Sequence, residues 1–230
     1  IAANHVCAAQ IVRMLEEYRL DGLDDLADVI IARSEKSIRA SIAKAPAGIY
    51  RSEGVIEQME GQPEVLIRCA VTIKGSDITV DLTGSSPQVD WGGNVVYNFT
   101  YAYVHMAVKS IFDPEIPNND GIAAPIRLIA PEGTVVNCRH PAAVAARMQI
   151  GHFITEVIYR ALASALPDRV VAAGGGTPAT MQMFYGRHGD GRPFHTVLIR
   201  GGGLGASAGR DGEGSFIFPA NGANTPVEIL

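Results

Sequence analysis

The stretch G-G-G-L-G-A-S-A-G-R-D-G-E-G, from Gly201 to Gly214, combines a glycine-spaced backbone suited to an anion with a G-x-S-x-G centred on Ser207. A serine nucleophile on such an elbow needs a strand before it, a helix after it, and an acid and then a histidine further along the chain. A strand is predicted before it, but Arg210 to Gly214 cannot start a stable helix, and the last histidine, His195, lies upstream. A phosphate loop needs Lys followed by Ser or Thr after its last glycine, and a dinucleotide fingerprint needs a following helix and a distal acid. Neither is present. The segment therefore reads as a turn-rich connection whose amides can still form an anion nest.

Cys138 and His140 lie close together in N-C-R-H-P, with His152 further on, but zinc sites show at least three ligands at recognisable spacing. Cys7, Cys69 and Cys138 are an odd, widely spaced set without C-x-x-C, which predicts buried thiols rather than disulfides. The polar loops carry more chemistry. D-L-T-G-S-S-P-Q, Asp81 to Gln88, sets a carboxylate, hydroxyls and an amide just beyond a strand end, where they either face a ligand or satisfy a tight turn. N-N-D-G holds Asn119, and P-A-A-V-A-A-R brings Arg147 to a helix start. A cation there opposes the helix dipole, so Arg147 is expected to serve a partner or a carboxylate elsewhere.

The elements that must position these loops follow from periodicity. Cys7, Ile11, Met14, Leu15 and Tyr18 line one face of a first helix. Leu23, Leu26, Ile30, Ile31, Ile38 and Ile42 line a second, with Asp21 at its expected N-cap and Pro46 beyond its end, so a helical hairpin is predicted. Period-two alternation then takes over in Val65 to Ile73 and Ile78 to Leu82, as antiparallel strands. Val95 to Ile111 is apolar nearly all round, as a buried helix is. Short strands are predicted at Ile126 to Ile129 and Thr134 to Asn137, a long helix over Ile150 to Ala165, and a hairpin around R-H-G-D-G-R-P. The predicted class is α+β, with a mixed, mainly antiparallel sheet, an N-terminal helical hairpin and two long buried helices, in a single unit over residues 1–230.

Composition excludes several partners. The 230 residues are 47% hydrophobic and 19% charged, with 24 acids against 19 bases, the profile of an ordinary globular protein. Basic residues are scattered singly, so the clusters that neutralise nucleic-acid phosphates are missing. No apolar run approaches the roughly 20 residues that span a bilayer, and no signal peptide opens the chain, so neither membrane nor nucleic acid is an expected partner and the cytoplasm is the expected location. The start at Ile1, directly in helical periodicity, reads as a piece of a longer polypeptide.

Five segments occur together in one family. D-L-T-G-S-S-P-Q, P-E-I-P-N-N-D-G, A-P-I-R-L-I-A-P-E-G-T-V-V-N, H-P-A-A-V-A-A-R and A-L-A-S-A-L-P-D-R-V-V-A-A resemble, in order and spacing, the hydantoinase B/oxoprolinase family. The likeness runs from the opening A-A-N through the glycine-rich segment to the closing N-T-P-V-E. It implies part of the B subunit of an ATP-dependent hydrolase that opens hydantoin or 5-oxoproline rings. Alternatives are a subunit portion of an acetone- or acetophenone-type carboxylase, or a noncatalytic assembly segment.

The resemblance also implies a hydantoinase A-type ATPase subunit that uses ATP and Mg²⁺, the remainder of the B subunit, and a small cyclic amide as partners. The family's His- and Asp-rich metal motifs lie in an N-terminal region with no match here, so a divalent metal is expected there and none in this chain. Carried over residue by residue, the resemblance gives Asp81 and Arg147 as candidate catalytic residues and Ser85, Gln88 and Asn119 as candidate substrate-binding residues. On the same reading Ser207 carries no catalytic role.

Overall fold

The sheet is built from the alternation seen in the sequence. The structure, a computed structural model, describes residues 2–57, 63–174, 181–199 and 202–214. β1 (Gly48–Ile56), β2 (Val65–Lys74) and β3 (Asp77–Asp81) form an antiparallel meander, and β4 (Ile126–Ile129) lies parallel beside β3. On β2, Val65, Ile67, Cys69, Val71 and Ile73 are buried while Arg68 and Lys74 point to the exposed side, the pattern of a sheet covered on one face.

A parallel neighbour requires a crossover. That from β3 to β4 carries α3 (Tyr97–Phe112) and the single turn α4 (Asp120–Ala123). α5 (Arg147–Leu162) packs on β1, β2 and α3, with Ile150, Ile154, Ile158 and Leu162 fully buried. Its register on β1 is fixed by polar bonds as well: Ser52 Oγ donates to the Val157 carbonyl at 2.5 Å, and Arg160 donates to the Glu53 carbonyl at 2.8 Å. β5 (Met181–Arg187) and β6 (Pro193–Ile199) form the expected separate hairpin, whose loop is closed by His188 N–H to the Arg192 carbonyl.

Two helices precede the sheet, α1 (Ala2–Tyr18) and α2 (Asp24–Ile42), joined by a short turn as the sequence predicts. Local differences have local causes. Leu23, not Asp21, occupies the N-cap of α2 without a side-chain bond, and Asp24 and Asp25 sit in the first turn, where they complement the dipole.

Thr134 to Asn137 is a turn rather than a strand. Asn137 N–H folds back to the Thr134 carbonyl, and the Asn137 amide donates to the Ala130 carbonyl, so these groups are used locally. α3 buries one face through Val104, Val108 and Ile111, while Tyr97 and Tyr101 remain exposed. Among the described residues no helix is long and apolar enough to cross a membrane.

Candidate functional site

The C-terminal half of α5, the chain that leaves it and the glycine-rich segment enclose a cavity of about 470 Å³. This lies within the range of small-ligand sites. Thr155, Glu156, Tyr159 and Arg160 line it from α5; Val170 to Gly174 and Ala206 to Ala208 supply mostly small side chains opposite.

The glycine-rich segment is shaped to close that wall. Ala172 N–H donates to the Ala206 carbonyl at 2.8 Å, and a β-carbon on Gly205 would collide with the Ala172 carbonyl. Two backbones approach here more closely than any side chain permits. Ser207 and Arg210 exchange both backbone hydrogen bonds around Ala208 and Gly209, and Gly209 takes φ +77°, the left-handed conformation such a turn assigns to glycine. No helix follows Ser207 among the described residues, so the nucleophile elbow is absent and the described part of the segment is the tight connection the sequence predicts; Gly201 lies outside the described residues.

One turn before the cavity, α5 carries an unusual load of buried polarity. His152 is 3% exposed, with neither ring nitrogen hydrogen-bonded among the described residues, and Thr155, a residue of the cavity lining, carries a buried hydroxyl that has no partner among them either. Tyr103 packs against the imidazole at 5.9 Å between ring centroids. Burial holds the His152 value below the ordinary 6.5, so the folded chain keeps the ring neutral. The unfolded chain then binds more protons as pH falls below about 6.5, and stability is lost in that direction. Urea midpoints are expected to fall between pH 7 and pH 5, and His152→Phe is expected to flatten that slope. His105, lowered by its own burial, leaves a residue of it. An unchanged slope in the variant rejects the assignment.

The five residues predicted from sequence line different places. Asp81 sits on the open face of the sheet in a shallow cavity with Arg51, Glu53, Arg68 and Thr83, and its Oδ1 accepts Thr83 N–H at 2.8 Å. Beneath it the Cys69 thiol is pushed up to about 12 by burial, with Asp81 adding to the shift. Ser85 is buried; its hydroxyl accepts Arg68 N–H and donates to the Leu82 carbonyl.

Gln88 Oε1 accepts Arg139 N–H at 2.9 Å, tying its loop to the turn after β4. Asn119 caps α4 through Gly121 N–H and donates to Ser34 Oγ on α2 at 2.9 Å. Arg147 opens α5 with its guanidinium 5.4 Å from the Phe99 ring centroid and one N–H on the Val144 carbonyl. Cys138 is half-buried, His140 exposed and His152 buried. Among the described residues no group of three or more His, Cys, Asp or Glu is placed to hold a metal ion.

Sequence reading did not find Asn94, which is fully buried. Its Oδ1 accepts Val89 N–H, and its amide donates to the carbonyls of Val89, Trp91 and Ala143, all between 2.8 and 3.0 Å. It thereby clamps the Gln88 loop to the segment that enters α5 at Arg147. A lone Asn after W-G-G carries no signal for this, because three of its four bonds are local turn bonds and the fourth is 49 residues away. The cavity was equally hidden, since its walls are mostly Ala, Val and Gly.

Comparison with known proteins adds the lineage. The Hydantoinase B/oxoprolinase family profile matches residues 1–230. A protein of Pseudomonas sp. (strain NS671), named as the B subunit of a D-/L-hydantoinase, is 31% identical over 243 residues, spanning 100% of this chain and 40% of its own. The ATP-dependent caprolactamase from Pseudomonas jessenii shares the fold with a TM-score of 0.78 at 20% identity, over 92% of this chain and 37% of that one. Acetone carboxylase in its nucleotide-free structure also gives 0.78, at 17% identity over 98% of this chain and 33% of that one. The chain thus spans about 40% of the length of the hydantoinase protein it matches. On the profile match over its whole length, this chain belongs to the hydantoinase B/oxoprolinase family.

Proposed function

We propose that this chain is part of the B subunit of an ATP-dependent hydrolase that opens hydantoin or 5-oxoproline rings. The observation that carries the reading is the alignment of the entire chain with a protein named as a hydantoinase B subunit. A name of that kind implies partner subunits, and the partner proposed is an A-type ATPase together with the remainder of the B subunit.

An amide carbonyl is a poor electrophile with a poor leaving group, and ATP with Mg²⁺ on the partner supplies the activation of its oxygen. The divalent metal that the family resemblance implies is proposed for the remainder of the subunit. What this chain contributes is binding and orientation. The cavity beside α5 has the size and the largely apolar, small-residue walls for a compact ring, and Thr155 in its lining carries a buried hydroxyl with no partner among the described residues. Arg147 offers its remaining N–H groups to a carboxylate or oxyanion at the start of α5, and Asp81 offers its second oxygen on the open sheet face. Ser85, Gln88 and Asn119 hold the loops that present them.

A second reading, part of an acetone-type carboxylase, is favoured by the shared fold over 98% of this chain. The assembled enzyme separates the two: ADP release that depends on hydantoin or 5-oxoproline supports the hydrolase, and release that depends on a ketone with bicarbonate overturns it. In that assembly Asp81→Asn and Arg147→Gln are each expected to lower kcat/KM by about tenfold or more, close to 1.4 kcal/mol of transition-state stabilisation. Their melting temperatures are expected to stay within about 2 °C of the parent. Wild-type rates in both variants remove these residues from the reaction.

A further inference from the structure

α1 is a helix of 17 residues with no buried residue. An isolated helix of that length is marginal in water and is normally held by packing of its apolar face. That face exists: on α1 Ile11 and Tyr18 are 38% and 68% exposed. α2 shows where it leads. Along one line of α2, Leu26, Ile30, Ser34, Ile38 and Ile42 recur every fourth residue; the last three are buried in the core, and the first two stand in solvent at 44% and 42% exposure. The stripe that packs the second half of α2 into the fold continues, still apolar, along a first half that overhangs it.

The overhang carries an excess of acidic charge. Across α1, the turn and the first half of α2 stand Glu16, Glu17, Asp21, Asp24, Asp25 and Asp28 against Arg13, Arg19 and Arg33. Two copies of this chain meeting face to face would bring like charge against like charge, which opposes self-association. The occupant is therefore a different surface, apolar at its centre and basic at its edge. The hydantoinase protein aligned with the whole chain has 60% of its length outside the alignment, enough for a substantial companion surface.

We infer that α1 and the first half of α2 are the docking surface for the remainder of the hydantoinase B-type subunit, which meets them with an apolar patch ringed by Lys and Arg. The inference rests on family membership and not on the reaction, so it stands or falls independently of which substrate is opened.

Cys7 reports on this surface: it is a free, exposed thiol one turn from Ile11, while Cys69 is buried and serves as an internal control. In a Cys138→Ser background, iodoacetamide alkylation of Cys7 is expected to be fast in the 230-residue chain. It is expected to slow by about tenfold or more when the separately expressed remainder of a family subunit is added. Leu26→Glu with Ile30→Glu, at exposed positions, is expected to leave the chain's melting temperature unchanged and to weaken that binding by about 30-fold, the scale of an interface hot spot. Unslowed alkylation in the bound state, or unweakened binding of the double variant, overturns the inference. So does protection of Cys7 that grows with the concentration of the chain alone, which would assign the surface to a second copy.

Discussion

Asn94→Ala is expected to lower unfolding stability by about 4 kcal/mol, among the largest losses any single side chain of this protein can give. The residue is fully buried, and its truncation strands one N–H, of Val89, and removes the donor shared by the carbonyls of Val89, Trp91 and Ala143. Each stranded buried group costs about 1–3 kcal/mol, and the losses overlap because the groups share one site. Asn94→Asp is the sharper comparison. It keeps the acceptor for Val89 N–H but aims a second oxygen at three carbonyls, so it is expected to be at least as damaging as alanine despite equal size. Urea unfolding of both variants measures the effect, and an aspartate variant of parental stability would show that the clamp is not what holds these loops. In the assembled enzyme both are expected to lose activity, because Ala146 N–H bonds to the Gly92 carbonyl directly before Arg147 and loosens with the clamp.

Gly205→Val is the second large change expected. Its β-carbon would fall 1.9 Å from the Ala172 carbonyl oxygen, a backbone atom that cannot rotate away, so the two segments must part. The Ala172-to-Ala206 hydrogen bond is then lost, and with it the wall of the cavity beside α5. The cost is expected at about 3 kcal/mol, the upper end of overpacking. It is expected to be concentrated in residues 202–214 and 170–174 and visible as faster amide exchange at Ala172. Ser207→Ala, two residues away on the same cavity wall, is expected to leave turnover of the assembled enzyme within about twofold, because no histidine follows it in the chain to act as its base. A large fall in kcat for Ser207→Ala, or normal exchange at Ala172 in Gly205→Val, contradicts this division between the two positions.

These two sites mark where sequence reading reached and where it stopped. The turn at Ala208 and Gly209 was legible because glycine at a φ of +77° is a local requirement, readable from local residue types. The collision partner of Gly205, 33 residues upstream, was not. The helix over Ile150 to Leu162 and the strands from Val65 to Asp81 were legible because burial on one face imprints a period of 3.6 or 2. Thr134 to Asn137 misled for the same reason in reverse: Val135 and Val136 are fully buried, yet the backbone turns, since Asn137 and Thr134 spend their side chains on nearby carbonyls. The parallel placement of β4 beside β3 carries no periodic signal at all.

The sequence by itself determined the α+β class, the positions of the main helices and strands, and, through five motifs in order, the family. Each depends on neighbours within a few residues or on the identity of a contiguous string. Only the tertiary structure decided which polar residues open to solvent and which are spent on the protein's own backbone. Asp81, Ser85 and Gln88 are close in sequence, yet Asp81 opens onto the sheet face, Ser85 turns into the core, and Gln88 reaches Arg139. Tertiary structure also decided that the apolar stripe of α1 and the first half of α2 faces solvent rather than the core. Amphipathicity requires that such a face be covered, but only the arrangement of the remaining elements in space says whether this chain covers it.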